Sequence, residues 1–418
     1  MTSSQELSVS LFDRDIQECP YQAYRAMRET GPVYKDPVSG FYVVTKYDLL
    51  RKILLDTENF TTGQREPEAA VMPLRFQKIQ HEFNTKGWLP GPSLGRYDDP
   101  QHGQVRAVFD VTFRAARIRE LDPYVEKVAT ELLDAFIDDG RCDIVRQFAV
   151  PLPMKVFAKQ MGAKDEELEQ IKIWTDAWVR RLGMMISEEE EMETVRLQIE
   201  AQHYFQPIIE RLRREPDGTL FSDMVNSEVP GWGRPLNDNE LHAHLMSDTF
   251  VGGSETTANA LSAGVMLLIQ NPGAWRMLKS APDKYLKTFV EEVLRLESPV
   301  QGLTRYVAND VEIEGVHIPA GSLIAVQYAA ANRDGGHFDN PDLLNLERKN
   351  AGSHLSFGSG IHHCLGAPLA RRELYWGFAA IVDRIDEMWF AEGKNDYSHH
   401  PNVFLRCLKQ LHIEFKKR

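Results

Sequence analysis

Apolar positions along the chain recur mostly every third and fourth residue, the period of an amphipathic helix. "EKVATELLDAFID" (Glu126–Asp138) and "MKVFAKQM" (Met154–Met161) carry it, and a short helix is predicted around Tyr21–Glu29. Ser187 with Glu190 three residues on forms a capping box, and the glutamate run behind it suits the positive end of a helix dipole. The longest predicted helix runs from Asn237, an N-cap with Glu240 at its third position, to about Gln270, ahead of Asn271-Pro272. At ~1.5 Å per residue it reaches roughly 50 Å, enough to cross a domain. In its middle lies "GGSETT" (Gly252–Thr257). Adjacent glycines cost about 1 kcal/mol each relative to alanine inside a helix, so close backbone approach or a local distortion is expected there.

Alternation of period two is rarer. "GFYVVTKY" (Gly40–Tyr47) reads as a strand, and "TRYVANDVEIEGVHIPAGSLIAVQYAAANRD" (Thr304–Asp334) reads as short strands between turns. The chain then runs as loop to Ile361, and "CLGAPLARRELYWGFAAIVDRI" (Cys364–Ile385) is helical again. Thr62–Pro100 is long and rich in Gly and Pro, the signature of a functional or mobile loop. The expected fold class is mainly α with a minor β part. No repeat or low-complexity linker divides the chain, so one domain over 1–418 is expected.

Composition narrows the classes. Of 418 residues, 43% are hydrophobic and 26% charged, which are globular values. The net charge of -13 argues against general nucleic-acid affinity. The four cysteines are scattered without a CxxC pair, which disfavours a disulfide framework or structural zinc and fits a reducing cytosol. The N-terminus lacks a basic, apolar signal pattern, so no leader or membrane anchor is expected and the location is read as cytoplasmic.

Cys364 stands among glycines just before a helix, where free N–H groups favour a thiolate. Bare backbone lets amides approach something flat or bulky, and Phe357 can cover one side. A soft thiolate in a dry, amide-lined loop suits an iron ligand. The bland alternative is a buried cysteine acting as a small hydrophobe. Zinc held by His362, His363 and Cys364 is a poor reading, because adjacent ligands rarely reach one tetrahedral ion.

"FGSGIHHCLG" (Phe357–Gly366) resembles the haem-binding loop of the cytochrome P-450 family, F-x-x-G-x-[HR]-x-C-x-G. Further matches follow. "GGSETT" resembles the acid–alcohol element of the family's distal helix, "EEVLR" supplies its E-x-x-R as Glu292 and Arg295, and "LNLERKN" brings Arg348. "DDPQHGQVR" (Asp98–Arg106) resembles the helix that touches the haem carboxylates. The resemblance covers nearly the whole chain and looks like the soluble bacterial type. It implies the family's fold, with haem b (iron protoporphyrin IX) between a distal helix at about 237–270 and the Cys364 loop.

The resemblance also implies roles. Cys364 is the iron ligand. Gly252, Gly253, Phe357, Gly358 and Gly366 shape the haem seat. His102, Arg106, Arg305 and His354 bind the propionates, with His362 as a fifth. Glu292, Arg295 and Arg348 are structural. Thr256 and Glu255 are the catalytic pair, delivering protons for reductive activation of O2. Without that context, a mid-helix Thr only back-bonds to a carbonyl.

Asp248 precedes Gly252 by four, so it shares that helix face; a carboxylate there meets a substrate hydroxyl or amine, extends the proton relay, or contacts the lid helices. Val251, Val300, Gln301, Leu303, Phe404 and Leu405 complete the substrate candidates, with the region around Ile171–Ile186. The implied activity is a monooxygenase for a lipophilic molecule: terpenoid, steroid, fatty or aromatic. The alternatives are a peroxide- or NO-using haem-thiolate enzyme, or a non-catalytic haem carrier. Implied partners are a ferredoxin with an NAD(P)H-dependent reductase, or a flavodoxin, meeting a basic patch of Arg106, Arg114, Arg117, Arg371 and Arg372 on a monomer.

Overall fold

Both predicted capping boxes form. Ser187 and Glu190 exchange hydrogen bonds at the head of helix Glu188–Arg214, and Asn237 and Glu240 do so ahead of helix Asp238–His244. These elements belong to a computed structural model that describes residues 8–63 and 74–418. Helices dominate, with small β-sheets beside them.

The predicted 237–270 helix is not one α-helix. Asp238–His244 is α-helical, Leu245–Glu255 is π-helical, and Thr256–Gln270 is α-helical again. The wide turns fall on the glycine pair, the distortion that the glycines implied. Gly253 also meets the close-approach condition: a Cβ there would come within 2.6 Å of the Phe157 ring.

The second wall of the site is helix Ala367–Arg384, which buries Leu369, Leu374, Phe378 and Ile381 against the Thr256–Gln270 helix and its neighbours. Ahead of it, Gly358 and Gly360 have φ of 68° and 71°, a left-handed conformation that disfavours side chains. Helix Pro282–Leu296 lies behind this wall.

The third wall is a five-stranded sheet. We label β1 Tyr34–Lys35, β2 Tyr42–Val44, β3 Phe60–Thr61, β4 Leu303–Val307 and β5 Leu323–Val326; the order across the sheet is β1-β2-β5-β4-β3. β2 and β5 run parallel, the other neighbours antiparallel, and Arg305 of β4 pairs with Ile324 of β5.

Thr62–Pro100 is more ordered than a loop reading allows. Leu74–Lys86 is a helix that seats Ile79 and Phe83 on Val195 and Ile199 of the Glu188–Arg214 helix. Residues 64–73 of that expected loop lie outside the described residues.

Candidate active site

One cavity lies between the π-helical stretch and the Cys364 loop. Its lining includes Cys364, Phe357, Gly358, His362 and Gly366 on one side and Asp248, Gly252, Gly253, Thr256 and Thr257 on the other. His102, Arg106 and Arg305 also line it, with Leu94, Phe109, Phe113, Phe157, Leu294, Val300 and Leu303 as apolar lining.

Cys364 is held by backbone. Its N–H donates to Phe357 O at 2.8 Å, closing the loop. Burial pushes the thiol pKa up, while the N–H groups of Gly366 and Ala367 pull it down, as do the charges of Arg106 and Arg371. The sulfur thus sits at the start of a helix with amides and cations ready for negative charge.

The basic residues are arranged for a dianion. Arg305 is buried, and the one hydrogen bond it makes among the described residues is from Nη1 to Thr304 O at 2.9 Å. His102 is buried, and its Nε2 has no hydrogen-bond partner among the described residues. The His102 and His362 rings are 4.3 Å apart, and burial, Arg305 and His102 hold His362 down at about 3. Arg106 gives Nη1 to Ile361 O at 2.9 Å and pairs weakly with Asp110 at 3.4 Å. Buried guanidinium donors and an orphaned imidazole nitrogen require acceptors, and two carboxylates on a flat group beside Cys364 fit them.

Thr256 and Glu255 face different ways. Thr256 lines the cavity and donates to Gly252 O at 2.8 Å. Glu255 does not line it; its Oε1 lies 3.1 Å from Lys172 Nζ and accepts from Thr175 Oγ1 at 3.4 Å. Burial raises the Glu255 pKa more than Lys172 lowers it. Lys172 also pairs with Asp176, so a line of charges runs from Glu255 to the exposed side of helix Leu168–Leu182.

The family model for cytochrome P450 matches residues 10–387. The chain belongs to the cytochrome P450 family. It is 31% identical to the polyketide biosynthesis cytochrome P450 PksS of Bacillus subtilis (strain 168), over 97% of this chain and 98% of the relative. It is 28% identical to the vitamin D(3) 25-hydroxylase of Pseudonocardia autotrophica, covering 98% and 96% of the two chains. The solved structure of P450BioI with an acyl carrier protein bearing hexadec-9Z-enoic acid superposes with a TM-score of 0.85 at 27% identity, over 96% of this chain and 100% of that one. Some of the relatives are named monooxygenases or hydroxylases, and this P450 is an oxidoreductase of that bacterial type. Its cofactor class is haem-thiolate, which the cysteine, the amides and the basic edge fit. No helix among the described residues is long and apolar enough to cross a membrane.

Several predicted residues lie elsewhere in the structure. His354 does not line the cavity: its Nε2 contacts Glu291 Oε2 at 3.0 Å, and its Nδ1 accepts from Ser356 N at 3.2 Å, so neither nitrogen is free for a propionate. Of the substrate candidates, Asp248, Val300 and Leu303 line the cavity. Val251 packs with Val179, Leu405 and Cys407, because the wide turns aim it at neighbouring elements. Gln301 gives its Nε2 to Ser298 O at 2.6 Å and takes Tyr24 OH at 3.2 Å. Phe404 belongs to the core with Tyr24 and Val403, and Leu405 forms a β-bridge with Val300 and packs with Val179, Val251 and Cys407.

Asp248 is the one acidic residue of the lining among the described residues, and it is engaged: Oδ2 accepts from Leu94 N and meets His244 Nδ1, both at 2.7 Å, and Oδ1 takes Ser247 Oγ at 3.0 Å. Glu292 binds Arg295 at 2.6 Å, and Arg348 Nε lies 2.9 Å from the same carboxylate as an ion pair without hydrogen-bond alignment. All three are buried.

The predicted basic patch is mostly neutralised. Arg117 pairs with Asp223, Arg371 with Glu291, Arg372 with Asp122, and Arg106 belongs to the cavity. Exposed Arg119, Lys287 and Lys349, without an ion pair among the described residues, instead rim a cleft that Arg371 and Arg372 also line. Sequence reasoning missed Lys172, Glu291 and Glu373. Only Glu291, adjacent to the E-x-x-R glutamate, carried a sequence signal.

Proposed function

We propose that this P450 is a haem b monooxygenase of a lipophilic small molecule, with Cys364 as the iron's thiolate ligand and Thr256 and Glu255 moving protons. The observation that carries the proposal is one cavity lined by Cys364, by the Gly252–Thr256 turn and by Arg305 and His102, which keep free donors among the described residues. When bound, thiolate-ligated haem supplies reductive activation of O2 and favours O–O cleavage.

The chain's own residues do the remainder. Gly366 and Ala367 amides hold the negative sulfur. Arg106, Arg305, His102 and His362 receive the two carboxylates, and Gly252 leaves space beside the π-turn. Thr256 releases Gly252 O to hold a proton donor at its Oγ1. Glu255 takes a proton from the Lys172–Asp176 side and, on rotating about its side-chain bonds, gives it up next to Thr256. The apolar side chains exclude water and take a hydrocarbon body.

Relatives named for polyketide biosynthesis, vitamin D(3) hydroxylation and a fatty-acyl complex support a lipophilic substrate of the steroid, terpenoid, fatty or aromatic kind. Electrons come from a ferredoxin with an NAD(P)H-dependent reductase, or from a flavodoxin, steered to the cleft rimmed by Arg119, Lys287 and Lys349. The chain works as one cytoplasmic domain and as a monomer.

The test supplies haem-loaded protein with ferredoxin, reductase and NAD(P)H and screens steroids, fatty acids and macrolactones under isotopically labelled O2. The proposal expects a low- to high-spin shift and one labelled oxygen atom in the product. Turnover with hydrogen peroxide alone and none with the reductase chain would contradict it.

A further inference from the structure

We infer that Glu291 is a positioning residue for the thiolate loop: it holds Arg371 and His354 against Phe357 and thereby sets the charge felt at Cys364. The inference rests on the haem-thiolate reading above. Glu291 Oε1 accepts from Arg371 Nε at 2.7 Å, and Oε2 accepts from Arg371 Nη2 at 3.0 Å, a bidentate pair. Oε2 also meets His354 Nε2 at 3.0 Å. Because Ser356 N–H donates to His354 Nδ1, the ring proton sits on Nε2 and Glu291 is its acceptor.

Both partners lead to one ring. The Arg371 guanidinium carbon is 4.5 Å from the Phe357 ring centroid, and the His354 ring is 5.7 Å from it. Phe357 in turn takes the Cys364 N–H on its carbonyl. One carboxylate therefore fixes the side chains around the ring of the residue whose carbonyl takes the Cys364 N–H. Burial works against the charge of Glu291, but hydrogen bonds from His354 and Arg371 outweigh it and hold the carboxyl at about 2. Glu291 is thus a fixed negative charge at working pH. Arg371 carries its positive charge over the Phe357 ring, and the bidentate pair with Glu291 offsets that charge there.

The neighbouring carboxylate does a different task. Glu292 binds Arg295, Arg348 and the amide of Asn345, all within the fold. Groups that touch a metal's ligand loop from outside tune its electronics by charge and hydrogen bonding, and these are the levers on a haem potential.

The experiment measures the reduction potential of the haem-loaded protein and of three variants, with the reduced carbon monoxide spectrum as a control on the cofactor. Glu291→Gln keeps shape and one acceptor but removes the negative charge, so the potential is expected to move positive. Arg371→Gln removes the positive charge and is expected to move it negative. Glu291→Asp keeps the charge and is expected to stay nearer the wild type than Glu291→Gln. A shift of the same sign in Glu291→Gln and Arg371→Gln, or no shift in either, overturns the inference. If Glu291→Gln does not retain haem, the negative shift in Arg371→Gln decides alone. Failure of the haem-thiolate reading is seen separately, as loss of the red-shifted carbon monoxide band in the wild type.

Discussion

Glu255 turns away from the cavity and rests on Lys172, Oε1 to Nζ at 3.1 Å, although its chain neighbour Thr256 lines that cavity. Burial lifts the pKa of this carboxyl and the Lys172 ammonium lowers it, with burial the larger influence. Lys172→Met removes the lowering influence, so the Glu255 pKa rises further. If the ionised form collects the next proton, the acid limb of the turnover profile moves to higher pH. Measuring kcat against pH checks this; an unmoved acid limb counts against Glu255 as the relay.

Thr256→Ala removes the hydroxyl bonded to Gly252 O. Proton delivery by a positioned group is worth at least about a hundredfold, so product per NAD(P)H is expected to fall at least about tenfold, with hydrogen peroxide released instead. Spin-state titration with substrate should stay unchanged. Unaltered coupling would favour a carrier or a peroxide-using enzyme.

Arg305 is buried in β4 with most of its donors free among the described residues. If it receives a haem carboxylate, Arg305→Leu loses a charge-assisted pair worth roughly 1.5–3 kcal/mol, so haem transfer to apomyoglobin accelerates by about tenfold or more. Equal transfer rates would place the carboxylates elsewhere.

Glu373 is fully buried, and neither carboxylate oxygen has an aligned hydrogen-bond partner among the described residues. Burial raises its pKa from 4.5 to about 8. The folded state therefore holds this proton more tightly than the unfolded state. Wild-type stability loses this contribution as pH rises from 4.5 towards 8, and the loss is constant above that. Glu373→Gln removes the dependence, so its advantage over wild type grows between about pH 5 and about pH 8 to at most a few kcal/mol. Urea midpoints across that range measure it, and parallel curves would refute the assignment.

What was legible in the sequence was local. The Cys364 loop carries its signature within ten residues, and the caps at Ser187 and Asn237 find their partners three residues on. What was not legible depends on partners far along the chain. His354 is satisfied by Glu291, 63 residues away, a partner invisible to the resemblance that assigned it to a propionate. The helix Leu74–Lys86 depends on Val195 and Ile199 for its apolar face, and "GQREPEAAV" ahead of it gave no capping signal. Val251 was mispredicted because the π-turns change which residues share a face.

The carbon monoxide difference spectrum of the reduced, haem-loaded protein tests the central claim most directly. Cys364 as a thiolate ligand predicts the strongly red-shifted band in the wild type and its loss in Cys364→His, where an imidazole replaces the sulfur. A wild type without that band, or a Cys364→His protein that keeps it, would contradict the account.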